Sequence, residues 1–192
     1  MISSAKRCFI GGEAEGTSPD SARLDTGGVL SGRGFPPAGV LRADPLAVVP
    51  GRAEAEQALG AMMERGAPAF AAVFIVDRIH LLNDCFGYAI GDRLLSAFYQ
   101  RLRRRLGSSD CIYRWSGTSF VALLERRRSL AQVRGELERV AGSDAELIVR
   151  IGDGALALAT AASWAVFALR GAGSKESMVG CLDHYVAANL GR

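Results

Sequence analysis

Residues Phe70 to Val76 read Phe-Ala-Ala-Val-Phe-Ile-Val, with no polar side chain among them. At that length the run predicts a strand buried on both faces at the centre of a sheet. A chain organised around such a strand must supply covering layers, and the flanking periodicities do so. Arg52 to Gly66 places Ala55, Leu59, Met62 and Met63 on one helical face, and Gly66-Ala67-Pro68 closes it. Asp92 to Leu106 turns Leu94, Leu95, Phe98, Leu102 and Leu106 inward and leaves Arg101, Arg103, Arg104 and Arg105 largely outward. A short helix is expected between Val76 and Asp92. Cys111–Trp115 and Ser119–Leu124 are short strands joined by Ser116-Gly117-Thr118, the chemistry of a hairpin. Ser129–Ala141 reads as a third long helix. Leu147–Ile151, Asp153-Gly154 and Ala155–Leu169 read as a second hairpin with one long arm, and Ser174 caps a closing helix to Leu190. Helices interleaved with hairpins predict an α+β fold, a central and mostly antiparallel sheet wrapped by helices.

Composition bounds the rest. A chain of 192 residues suits one domain with a tail. Residues 1–43 carry Gly11, Gly12, Gly16, Gly27, Gly28, Gly32, Gly34 and Gly39 with Pro19, Pro36 and Pro37 and show no apolar period, so they read as a flexible leader to a domain at 44–192. Hydrophobic residues at 49% and charged residues at 22% exclude wholesale disorder. A net charge of +3 argues for neither a nucleic acid nor a membrane partner. Cys8, Cys85, Cys111 and Cys181 are scattered without a CxxC pair, and read as buried thiols of a reducing compartment. The opening residues lack a signal-peptide stretch, and the Ala-rich run Ala155–Leu169 is short of the roughly 20 residues that span a bilayer, so the chain is expected in the cytoplasm.

Four blocks in order then carry a resemblance. They are Asp44-Pro-Leu-Ala-Val-Val-Pro50-Gly-Arg52; Val73-Phe-Ile-Val-Asp77-Arg-Ile-His80-Leu-Leu-Asn83-Asp84-Cys-Phe-Gly87-Tyr88-Ala-Ile-Gly91-Asp92; Arg114-Trp115-Ser116-Gly117-Thr118-Ser119-Phe120; and Tyr185-Val-Ala187-Ala188-Asn-Leu-Gly191-Arg192. They resemble the DxLTGLPNR, DxDxFKxINDxxGHxxGD, R(Y/W)GGDEF and YxAKxxGR motifs of the GGDEF family of diguanylate cyclases. The resemblance implies a nucleotide-cyclase-like fold with a ferredoxin-like core. It also implies an activity: condensation of two GTP into cyclic di-GMP across a homodimer, with two divalent cations. Such phosphoryl transfer rests on metal ions held by carboxylates.

This chain departs from the pattern where that chemistry sits. The metal-binding Asp of the first strand falls on Ile75, and the acidic pair of the signature falls on Thr118 and Ser119. The motif Lys that contacts phosphate is His80, the Lys of the closing block is Ala188, the first signature Gly is Ser116, and the His of the GH pair is Tyr88. Asn83 and Asp92 remain, and in the family these positions hydrogen-bond guanine. Asp92 also sits where a helix is expected to begin, where a carboxylate is favourable without any ligand. The family's product-inhibition motif RxxD becomes Gly107-Ser108-Ser109-Asp110, which keeps the Asp and loses the Arg, with Arg105 near enough to reach around the helix end.

The reading is a degenerate member that makes no cyclic di-GMP. It would need no cofactor and would act through GTP held at Asn83 and Asp92 or through protein contacts, as a homodimer, as a heterodimer with an active cyclase, or on another protein. Two alternatives stand beside it. An active cyclase would use magnesium on displaced ligands such as Asp77, Asp84 or Glu125. A pure interaction scaffold would use the leader or the Arg101/Arg103–Arg105 and Arg126–Arg128 clusters, which otherwise read as solvated faces. His80 and His184 have no partner at metal spacing and read as surface or half-buried residues. Trp115 and Trp164 read as packing residues.

Overall fold

The structure is a computed structural model that describes residues 46–141, 145–151 and 154–190. The leader 1–43, Cys8, the first residues of the entry block and the closing Gly191-Arg192 lie outside the described residues.

The elements run α1 (Arg52–Glu64), β1 (Ala69–Val76), α2 (Ile79–Phe86), α3 (Tyr88–Arg105), β2 (Cys111–Ser116), β3 (Ser119–Glu125), α4 (Leu130–Ala141), β4 (Ala145–Ile151), β5 (Gly154–Thr160), β6 (Ala162–Ala168) and α5 (Lys175–Asn189). Four strands form an antiparallel sheet in the order β2-β3-β1-β6, and β4 and β5 pair separately. The apolar run is the centre of that sheet, and every residue of β1 is buried.

The period of two along β1 divides the interior into two cores. Phe70, Ala72, Phe74 and Val76 face Leu94, Phe98 and Leu102 of α3 and Val133 and Leu137 of α4. Ala71, Val73 and Ile75 face Ala55 and Leu59 of α1 and Met178, Leu182 and Val186 of α5. Phe74 meets Phe98 edge-on, ring centres 6.3 Å apart, an arrangement that aromatic quadrupoles favour.

Three elements depart from the sequence reading. The long arm Ala155–Leu169 is two strands: β5 pairs with β4, and after Ala161 the chain enters the main sheet as β6, with Val73 opposite Ala165. No turn residue marks the change, because the change is one of partner. The helix expected from Asp92 begins at Tyr88, since Gly87, at φ 82°, makes the break between α2 and α3. Asp92 therefore lies a turn inside α3, exposed, and does not cap it. The cysteines are not buried: Cys85, Cys111 and Cys181 are all exposed, on the outer faces of α2 and α5 and at the first position of the edge strand β2.

Candidate functional site

A cleft of about 240 Å³ opens where β1 ends, lined by Asp77, Arg78, His80, Thr118, Asn189 and Leu190 together with the last residues of the strand. Backbone bonds fix its floor. Val76 N–H donates to the Thr118 carbonyl at 2.9 Å, and Asp77 N–H donates to the Ala161 carbonyl at 3.0 Å. The chain then turns into α2 through Arg78, held in the left-handed region at φ 59°, the single such non-glycine residue among those described. Asp77, half-buried, accepts from the Ser163 hydroxyl at 3.2 and 3.3 Å.

The residues at the three acidic positions of the motif are placed together but offer no ligand set. Ile75 stands opposite Ser119 on one side and Ser163 on the other. Its side chain is 2% exposed and belongs to the core beneath α1 and α5. Ser119 is fully buried, and its hydroxyl shares one hydrogen bond of 2.6 Å with that of Ser116. Thr118 is half-buried at the turn. An alkyl chain and paired neutral hydroxyls do not fit the oxygen-rich shell that a hard divalent cation requires. Among the described residues no three His, Cys, Asp or Glu side chains gather to hold a metal. His80 and His184 are both exposed.

Asn83 and Asp92 are brought near one another by the packing of α2 on α3. The Asn83 amide lies against Gly91, the residue before Asp92, so closely that a β-carbon there would collide with Oδ1. That oxygen is buried and accepts no hydrogen bond within the protein. A buried acceptor without a donor is costly, and a ligand N–H would relieve the cost. Three large apolar residues near this corner, Leu81, Phe86 and Tyr88, are exposed, Tyr88 by 78%, among exposed Asp84 and Asp92.

Two clusters bring in residues that the sequence did not single out, Glu136 in the first and Asp183 in the second. Asp110, 2% exposed, accepts from Gly107 N–H at 2.7 Å and from both terminal nitrogens of Arg126 at 2.7 and 2.6 Å. Arg126 also donates to Glu136. Bonds to Asp110, partly opposed by burial and joined by those to Glu136, raise the Arg126 guanidinium above its ordinary pKa. Asp110 is thus committed inside the protein. Arg105 donates to the Arg139 carbonyl at 2.9 Å, away from Gly107. Arg126 was read as part of a solvated run. The available signal was the acid at 136, set ten residues on, across a strand-to-helix turn.

The second cluster joins three elements. Arg52 donates twice to Asp183 at 2.9 and 2.7 Å, and its guanidinium lies 4.6 Å above the Trp115 ring. Trp115 donates its indole N–H to Asp183 at 2.9 Å. Burial pushes the Asp183 carboxyl up, but the bonds from Arg52 and Trp115 outweigh it and hold the group below the ordinary carboxylate range. Trp115 is buried, as expected of a packing residue, and half-buried Trp164 packs on the α3 and α4 core.

The profile of the diguanylate cyclase GGDEF domain matches residues 41–160, more than half of the chain. The chain belongs to the GGDEF family. Among curated relatives, diguanylate cyclase DgcP of Pseudomonas aeruginosa is 37% identical over 101 residues, covering 50% of this chain and 15% of that protein. Diguanylate cyclase VdcA of Vibrio cholerae is 33% identical over 121 residues, covering 61% of this chain and 35% of that one. The chain therefore spans well under half the length of either. Among solved structures, diguanylate cyclase SiaD of Pseudomonas aeruginosa, crystallised with its activator SiaC, superposes with a TM-score of 0.65 at 30% identity, covering 76% of this chain and 56% of that one. The GGDEF domain of FimX from the same organism superposes with a TM-score of 0.65 at 15% identity, covering 76% and 91%, a likeness of fold. This GGDEF domain is thus related to the diguanylate cyclases of cyclic di-GMP signalling. Among its described residues no helix is long and apolar enough to cross a membrane.

Proposed function

We propose that this GGDEF domain makes no cyclic di-GMP and serves in cyclic di-GMP regulation as a signalling module that binds guanine nucleotide or another protein. The observation that carries the reading is Ile75, an apolar side chain that is 2% exposed at the inner wall of the cleft, at the position where the family motif has its metal-binding Asp. The neighbouring positions support it, because Ser116 and Ser119 offer only neutral hydroxyls, hydrogen-bonded to one another. Asp77 remains in the cleft, but a lone carboxylate engaged by Ser163 does not replace the ligands of two cations.

The unpartnered Oδ1 of Asn83, beside Asp92, favours retained guanine recognition, since guanine offers N–H donors to such groups. The exposed Leu81, Phe86 and Tyr88 support the protein-binding branch, and the similar diguanylate cyclase SiaD is found in complex with its activator SiaC. On this reading residues 1–43 form a leader to the domain at 44–192.

The test is twofold. Purified protein incubated with GTP and magnesium or manganese is expected to yield no cyclic di-GMP, and synthesis would refute the reading. GTP is expected to raise the melting temperature without added metal, and Asn83→Ala to remove that rise. No shift with the unaltered protein would leave the protein-binding branch alone.

A further inference from the structure

The Asn83 corner and the cleft at the end of β1 share one helix. Ile79 lines the cleft, and Asn83 follows it by one turn of α2, about 6 Å along the axis, on the same face. A ligand that gives its donors to the unpartnered Oδ1 of Asn83 and to Asp92 has the cleft beside it for its far end.

That far end meets little positive charge. Ile75, Val76, Ile79 and Leu190 wall the cleft with apolar groups. The two formal charges on its lining, Asp77 and Arg78, cancel. His80 stands where the motif has a lysine, and a histidine side chain is mostly uncharged at about pH 8. The amides that open α2, which no side chain caps, supply the equivalent of about half a positive charge. Toward the corner, Asp84 and Asp92 are exposed with Arg93, which leaves an excess of acid there. A hard cation does not make up the difference, because Ile75, Thr118 and Ser119 offer it no carboxylate. The cleft is also small. Its volume of about 240 Å³ falls below the roughly 300–1,000 Å³ of sites that enclose a whole drug-sized ligand. A sugar or a single phosphate suits such a place. Each further phosphate brings negative charge that no described lining residue compensates.

We propose that this site takes guanosine and guanosine monophosphate in preference to GTP, reading base and sugar and gaining nothing from the second and third phosphates. This preference presupposes the guanine recognition at Asn83 proposed above and names the compounds that such recognition would serve.

Calorimetric titration of the unaltered chain at about pH 8, in the presence of a chelator, tests it with guanosine, its mono-, di- and triphosphates and adenosine monophosphate. Guanosine monophosphate is expected to bind about tenfold more tightly than GTP, with the diphosphate between them and guanosine close to the monophosphate. Magnesium added in place of the chelator is expected to leave guanosine and its monophosphate unchanged. His80→Lys, at an exposed position on the cleft, is expected to tighten GTP about tenfold and to leave guanosine unchanged. GTP bound by the unaltered chain as tightly as the monophosphate, or more tightly, would overturn the preference while guanine recognition stood. Binding of no guanine compound, or equal binding of adenosine monophosphate, would overturn both. A His80→Lys protein without the gain for GTP, or with the same gain for guanosine, would overturn the part given to the charge of the cleft. Should that variant not fold, the series on the unaltered chain decides.

Discussion

At the scale of single residues, the charges that matter most are those that the fold has taken out of solvent. Arg126 holds Asp110, whose side chain has no exposure, while its own is 16% exposed. Removing one partner of such a pair strands the other in a poorly solvated place. Arg126→Ala is therefore expected to cost about 3 kcal/mol in chemical denaturation at neutral pH, and Asp110→Asn in the same chain to recover part of it. The Arg52–Asp183 pair is more exposed, and its signature is a pH dependence. Because the folded Asp183 carboxyl titrates below its unfolded value of 3.8, its contribution is fully present above that value and fades as the pH falls through the folded one. The difference in denaturation midpoint between the unaltered chain and Asp183→Asn is expected to stay constant from about pH 6 to about pH 5 and to shrink only as the pH falls below about 4. Exposed His80 and Tyr88, at motif positions, were legible as substitutions. The role of Arg126 was not, because its partners lie 16 and 10 residues away and only the fold brings them together.

At the scale of elements, local chemistry was the better guide where an element ends on a side-chain cap. Ser174 accepts from the Ser177 N–H at 3.2 Å and starts α5 as its sequence indicates. Ser129 and Gln132 exchange bonds at the start of α4 in the same way. Ser174→Ala is expected to destabilise the domain by about 1 kcal/mol, read as a lower denaturation midpoint with unchanged slope. Where an element ends on backbone conformation or on a change of partner, the sequence misled. The sequence pattern starts a helix at Asp92, yet Gly91 before it is already helical and buried, and the Asn83 amide fills the space a β-carbon would take there. The division at Ala161 has no local mark, since β5 and β6 are equally extended and differ in what they pair with.

At the scale of the whole molecule, two cores share one strand, and the lost metal position lies inside one of them. Ile75 packs among Val73, Val121 and Leu182. A carboxylate there would be buried among apolar side chains unless a cation compensated it. Ile75→Asp is expected to destabilise the domain by about 3 kcal/mol or more and, by itself, to produce no cyclic di-GMP. Ile75 borders the cleft at its inner wall, so a folded, unweakened Ile75→Asp protein would show that the carboxylate reaches solvent or a cation through it.

By itself the sequence determined the α+β class, the central strand, the family and the absence of acids at three motif positions. Each of these is written in residue identity and short-range period. The tertiary structure alone decided that Asp110 is bound by Arg126, that Asn83 abuts Gly91, that three cysteines face outward and that β6 leaves the β4–β5 pair to join β1. These depend on which distant segments meet, and meeting is settled by the packing of whole layers against β1, which no local pattern encodes.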